Sequence, residues 1–340
     1  MGQNSTGANG IDAWKQNDCL MNDANDNLRK DRHVAVVGAG LIGAGWAIVF
    51  ARAGFAVRAF DAHPQTLAGL RTFVANQLET MMTHGLVEDA EEVLARIEVS
   101  ATLERAVSGA GYVQESVLER VDVKRELMQA LATCLDADAV VGSSTSGIGA
   151  SKFTQGQAIA DRVLVVHPVN PPHLVPVVEL VPSPWTSRDA VAVAKAMMEA
   201  VGQSVVLLSR EIEGFVLNRL QGALLREAWD LVQDGIASCE DIDKTVKDGL
   251  GWRWSFMGPF ETIDLNAPGG VADYAQRLGP LYRSIAASRK HDEDWSAELI
   301  ADVERQRDAQ LPRQDLAKRR DWRDEQLMVI ASDRCKRGKA

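Results

Sequence analysis

The stretch His33-Val-Ala-Val-Val-Gly-Ala-Gly-Leu-Ile-Gly43 decides the fold of this chain. A short apolar run ending in glycine reads as a strand buried on both faces, the habit of parallel sheets. The glycines fall as Gly38-x-Gly40-x-x-Gly43, and an apolar helical stretch over 41–53 follows at once, stopped by Gly54. Then Ala56-Val-Arg-Ala-Phe60 reads as a second strand, closed by Asp61. The unit spans about 30 residues, the size of one strand–helix–strand crossover.

Each glycine has a physical reason. Gly38 allows a tight turn, Gly40 lets backbone approach a pyrophosphate, and Gly43 allows close packing of helix on strand. The new helix offers free N–H groups to phosphates, so Leu41 and Ile42 join the three glycines as cofactor-binding residues. Asp61 lies 18 residues after Gly43, at a strand end. A carboxylate there accepts from a ribose 2′-hydroxyl and repels a 2′-phosphate. No arginine follows it directly, so the expected cofactor is NAD rather than NADP.

Outward from this unit, residues 64–108 read as helical with a break at Gly85. Further short strands are expected at Gly111-Tyr-Val-Gln-Glu115, Ala139-Val-Val-Gly142, Arg162-Val-Leu-Val-Val-His167, Val177-Val-Glu-Leu-Val181 and Val205-Val-Leu-Leu208, with a helix near 122–134. Strands alternating with helices predict a doubly wound, mostly parallel sheet. From Gly214 onward apolar residues recur at three and four and strand signals fade. The expected architecture is therefore α/β: an N-terminal Rossmann-type domain over 31–210, then an all-helical domain over 211–330 and a tail over 331–340.

Composition narrows the function. The 340 residues are 46% apolar and 25% charged, as in ordinary soluble globular proteins. Acidic residues outnumber Lys plus Arg by 47 to 37, for a net charge of −10. That excludes a wide basic footprint for nucleic acid. No run approaches the roughly 18 apolar residues of a membrane span. Cys19, Cys134, Cys239 and Cys335 are too scattered for a zinc site or a redox pair, so no metal is expected. Residues 1–30 are rich in Asn, Asp, Gly and Gln, and fit neither a secretory signal nor a transit peptide. They read as a disordered leader on a cytoplasmic protein.

A dehydrogenase needs a group that exchanges a proton with a hydroxyl while hydride moves, and histidine suits the task. Of the six histidines, His33, His63, His84, His173 and His291 are poorly placed. His167 ends a strand, at the carboxyl edge where open α/β sheets bind ligands. Glu179, twelve residues on, sits inside an apolar run where a carboxylate is costly unless paired. An imidazole is its natural partner, and the pair would orient the ring and raise its basicity. Ser146, in the turn Gly142-Ser-Ser-Thr-Ser-Gly147, could complete the site or simply form the turn. Asn218 shares a helical face with Phe215, Gly222, Leu225 and Trp229, and spacing alone favours an interhelical hydrogen bond.

The glycine loop, Glu115-Ser-Val-Leu-Glu119, Ser146, His167-Pro168, Glu179 and Gly214-Phe-Val-Leu-Asn-Arg219 together resemble the L-3-hydroxyacyl-CoA dehydrogenase superfamily. The resemblance runs in order over about 33–328. Within it the chain looks like the lambda-crystallin and L-gulonate 3-dehydrogenase branch, through His167-Pro-Val-Asn-Pro-Pro172, Gly249-Leu-Gly251 and the segment Arg320-Asp-Trp-Arg-Asp-Glu325. It implies His167 as general base, Glu179 as its orienting partner, and Ser146 and Asn218 on the reacting oxygen. It also implies Glu119 and Lys124 near the NAD ribose, Arg253 facing substrate, and a homodimer formed through the helical domain. The family often has Pro-Glu where this chain has Leu118-Glu119.

Coenzyme A-dependent members carry a Lys-rich helical insertion after the second strand. Here residues 64–100 contain no lysine and only Arg71 and Arg96, against Glu79, Glu88, Asp89, Glu91, Glu92 and Glu98. An acidic surface disfavours a multiply charged phosphate ligand, whereas Arg253 suits a compact carboxylate. The expected substrate is a small free 3-hydroxy acid, L-gulonate first. The alternatives are a 3-hydroxyacyl-CoA and L-carnitine, the latter through Trp252, Trp254 and Phe256. A non-catalytic structural or NAD-binding role is a further alternative, opposed by the intact Ser146, His167, Glu179 and Asn218 set.

Overall fold

The computed structural model describes residues 32–288 and 294–338. The expected leader over 1–30, with Cys19, and His291 lie outside the described residues. Among the described residues, eight strands form one sheet in the order β3-β2-β1-β4-β5-β6-β7-β8. They are β1 (Val34–Val37), β2 (Val57–Phe60), β3 (Ile97–Val99), β4 (Tyr112–Glu115), β5 (Val140–Ser143), β6 (Val163–Pro168), β7 (Val177–Pro182) and β8 (Ser204–Leu207). All pairs are parallel except β6 with β7.

Alternation along the strands sends neighbours to opposite faces. Val34 and Val36 join one buried cluster and Ala35 and Val37 the other. The first face is covered by the helices Leu41–Arg52, Pro64–Thr83 and Arg188–Ala200, and the second by Leu103–Val107 and Val121–Cys134. The helix Leu41–Arg52 is buried along nearly its whole length, including Trp46 at 0% exposure, which explains its uniformly apolar sequence. Gly54, with φ 94°, ends it in the left-handed conformation that glycine adopts without cost.

The stretch over 64–108 departs from the helical expectation. It contains β3, three residues pairing with β2 at the sheet's edge between the helices Ala90–Ala95 and Leu103–Val107. A strand this short leaves no alternation to read; its ladder comes from β2 instead.

Contacts divide the chain into two units. One comprises the described residues up to Arg219 together with those from Asp321 on, and the other is Leu220–Arg320. The division falls inside the helix Leu217–Gln233, later than the 210 expected from the loss of strand signals. The C-terminal helix Leu316–Gly338 returns to the sheet domain, where Met328 is 1% exposed and joins the first cluster. Residues beyond 320 therefore do not group with the helical domain. The second unit is helical throughout its described residues apart from its connections, with a small core of Val232, Cys239 and Leu299 and a stacked Trp229–Trp295 pair at 4.3 Å.

Candidate active site

The parallel strands place their carboxyl ends on one edge, and the predicted residues gather there. Gly38 follows β1, Asp61 follows β2, Glu119 follows β4, Ser146 follows β5 and His167 sits near the end of β6.

The glycine loop is built for a dinucleotide. Gly38 has φ 97°, and a β-carbon on it would lie 2.4 Å from the carbonyl oxygen of Ser116. A β-carbon on Gly43 would lie 1.8 Å from the carbonyl oxygen of Gly38, so only glycine lets the helix start this close to the strand. Gly40 faces open space and begins the helix without a side-chain cap, leaving its first amides for an anion. Leu41 is 67% exposed and Ile42 half-buried against the core. Asp61 accepts from the backbone N–H of Ala39 at 2.7 Å through Oδ2 and of His63 at 2.8 Å through Oδ1. It thereby ties the second strand to the loop, at the position where a ribose hydroxyl would meet it. These residues fit an adenine dinucleotide.

The antiparallel β7 sets Glu179 directly opposite His167. His167 Nδ1 and Glu179 Oε2 are 2.8 Å apart, and both side chains are buried. Nε2 of His167 makes no hydrogen bond to the described residues. The other Glu179 oxygen accepts from the N–H groups of Val216 at 2.8 Å and Leu217 at 2.9 Å. Burial raises the proton affinity of Glu179, but the hydrogen bonds from His167, Leu217 and Val216 outweigh it and hold the carboxyl below its ordinary range.

Beside this pair lies a second polar network. Glu119 Oε1 accepts from Thr145 Oγ1 at 2.6 Å, from Ser146 N at 2.8 Å and Oγ at 3.2 Å, and from Gly147 N at 3.2 Å. Burial works against this carboxylate, yet Thr145, the Lys124 charge and the two amides keep its pKa lowered. Lys124 is 1% exposed, bonds both oxygens of the fully buried Glu115 at 2.8 and 3.0 Å, and lies 3.5 Å from Glu119. Ser143 Oγ and the N–H of Val117 also donate to Glu115. Asn218 Nδ2 donates to the carbonyl of Ser146 at 2.7 Å, so the two residues meet. Phe215, which spacing set on the same helical face, precedes the helix with φ 51°.

Arg253 lies in the other unit, on the exposed helix Gly251–Trp254. Sequence reasoning missed Glu115 as a functional candidate; its signal was a carboxylate closing an apolar strand. It also missed the roles of Gly214 and Phe215, which no periodicity marks.

Such a loop beside a buried imidazole–carboxylate pair defines an NAD-dependent oxidoreductase acting on a CH–OH group. Residues 33–212 match the model for the 3-hydroxyacyl-CoA dehydrogenase NAD binding domain, and 214–296 that for its C-terminal domain. The chain belongs to the 3-hydroxyacyl-CoA dehydrogenase family. It is 39% identical to lambda-crystallin of Oryctolagus cuniculus over 88% of this chain and 95% of that protein. It is 41% identical to L-carnitine dehydrogenase of Streptomyces coelicolor over 74% and 79% respectively. Among solved structures, a dehydrogenase of a 5-formyl-3-hydroxy-2-methylpyridine carboxylic acid superposes with a TM-score of 0.74 at 26% identity, covering 88% of this chain and 97% of that one.

Proposed function

We propose that the protein oxidises the 3-hydroxyl of a small free 3-hydroxy acid, L-gulonate first, to the 3-keto acid (here 3-dehydro-L-gulonate). The observation that carries this reading is the buried His167–Glu179 pair with Nε2 of His167 left for a ligand. His167 takes the hydroxyl proton at Nε2, and Glu179 fixes the tautomer and steadies the imidazolium that forms. Ser146 and Asn218, now bonded to Glu119 and to the Ser146 carbonyl, turn onto the substrate oxygen and stabilise its developing charge. NAD, when bound, accepts the hydride lost from the carbon. Glu119 meets the ribose, and Lys124, buried behind it, acts by holding Glu119 in place. Arg253 takes the substrate carboxylate in a bidentate pair.

The helices Pro64–Thr83 and Ala90–Ala95 support a free acid over a thioester. Glu79, Glu88, Asp89 and Glu91 are exposed on these helices and the connection between them and repel phosphate, although Glu92 pairs with Arg96 and Glu98 with Arg105. L-carnitine is the second reading, favoured by the carnitine dehydrogenase relative and by the exposed Trp252, Trp254 and Phe256. The helical unit exposes Leu220, Ile236, Trp252, Phe256, Phe260 and Leu265, which supports a homodimer with this unit as its interface. The free thiols Cys134, Cys239 and Cys335 suit a reducing, cytoplasmic setting.

The test is NADH formation at 340 nm with L-gulonate, 3-hydroxybutyrate, L-carnitine and 3-hydroxybutyryl-CoA. Turnover of the free acids supports the reading, with their rates deciding between gulonate and carnitine. Turnover of the thioester alone overturns it.

A further inference from the structure

Two consecutive residues ahead of the helix Leu217–Gln233 are left-handed: Gly214 at φ 72° and Phe215 at φ 51°. Phe215 is the one non-glycine residue with positive φ among the described residues. A phenylalanine in that region is disfavoured by contact between its β-carbon and the backbone, and such outliers concentrate at functional sites. Here the conformation has a specific result. A helix continued back through 214 and 215 would direct the amides of 216 and 217 onto carbonyls of its own preceding turn. The elbow instead aims both at Glu179 Oε1, at 2.8 and 2.9 Å. The same turn buries the Phe215 ring, 1% exposed, with its centroid 5.5 Å from that of His167 and the planes tilted by 56°.

We propose that the Gly214–Phe215 elbow is a positioning device for the catalytic pair, holding Glu179 by two amides and the His167 ring by one aromatic face. It thereby keeps Glu179 ionised and the His167 ring aimed at substrate. This inference rests on the reading of His167 as general base. Among the described residues, the titratable group in contact with Glu179 is His167, and its other partners are the two amides. Amide dipoles favour an anion and oppose a neighbouring cation. Withdrawing them makes the Glu179 carboxyl easier to protonate, so activity falls off at a higher pH on the acid side.

The experiment compares Gly214→Val, Gly214→Asn and Phe215→Leu with the parent enzyme, using the panel acid that is turned over fastest. A β-branched residue is a severe outlier at φ 72°, whereas asparagine tolerates it. A β-carbon at Gly214 meets nothing closer than 3.5 Å, so asparagine is not excluded by crowding. Gly214→Val is expected to lower kcat by about tenfold or more and to move the acid limb of the pH profile up by about one unit. NADH binding should be unchanged, and Gly214→Asn should restore both the rate and the limb. Should the valine variant fail to fold, Phe215→Leu, which keeps apolar bulk, is expected to move the limb in the same direction. A loss of rate with an unmoved limb, or valine and asparagine variants that behave alike, overturns the elbow's role. A fully active His167→Gln enzyme overturns the base assignment beneath it, which separates the two failures.

Discussion

His167 and Glu179 face each other across the one antiparallel pairing of the sheet, with Nδ1 and Oε2 2.8 Å apart. Twelve residues of chain separate them, and the reversal between β6 and β7 brings them to the same rung. Both side chains are buried, so each satisfies a group that would otherwise be costly to desolvate.

His167→Gln removes the base while keeping a polar side chain of similar length. Turnover should fall by about 10²- to 10⁴-fold, with NADH affinity, followed by cofactor fluorescence, nearly unchanged. Unaltered turnover would sink the assignment.

Glu179→Gln keeps the shape but reverses the tautomer logic, because an amide nitrogen can face Nδ1. A rate loss of about 10²-fold or more is expected in stopped-flow or steady-state assays. The variant also tests stability. The native carboxyl has a lowered pKa, so it stabilises the fold above its unfolded value and loses that contribution as pH falls through the native one. Urea midpoints of the Gln variant should therefore depend less on acid pH than those of the parent.

Lys124 and Glu115 form an ion pair exposed by only 1% and 0%. Lys124→Met leaves a buried carboxylate with Ser143 and one amide as its remaining partners. The expected loss is about 3–5 kcal/mol, read from denaturant unfolding. A double variant with Glu115→Leu should recover part of it; a single variant as stable as the parent would contradict the pairing.

His173 is 5% exposed and bonds Gln77 through Nε2 at 3.3 Å. Burial, aided by the charge of Arg52, lowers its pKa to about 4. Between about 6.5 and 4 the unfolded chain binds a proton that the native state does not. Stability should thus be fully present above that window and decline by an amount on the order of 3 kcal/mol as pH falls through it. His173→Gln should flatten this slope in urea titrations from pH 7 to 4. An unchanged slope would assign the acid sensitivity elsewhere.

Gly43→Ala would place a β-carbon 1.8 Å from the Gly38 carbonyl. Backbone must move to relieve it, at a cost of about 1–3 kcal/mol. Because the displaced segment carries the phosphate-facing amides, NAD affinity measured by calorimetry should drop at least tenfold.

Local chemistry alone determined a large share of this protein. The run 33–43 specified strand, turn and helix because apolar patterning and glycine placement act over a few residues. Asp61 was legible for the same reason, standing at a strand end a fixed distance after Gly43. His167 was singled out by its strand-end position, and Glu179 by being a carboxylate in an apolar run. Their pairing, however, needed the antiparallel reversal to set the rung. Tertiary structure decided the rest. Strand β3 exists because β2 offers it a ladder, which three residues cannot announce. For Lys124 the family resemblance suggested a place near the NAD ribose, but only the folded sheet shows it buried against Glu115. The C-terminal helix returns to the sheet domain through Met328, which joins the first cluster although members such as Trp46 and Val49 lie more than 250 residues away in sequence. The left-handed elbow at Gly214 and Phe215 has no periodic signal, because its conformation answers to Glu179, a partner distant in sequence. Periodicity reports which face a residue presents; only the assembled chain decides what that face meets.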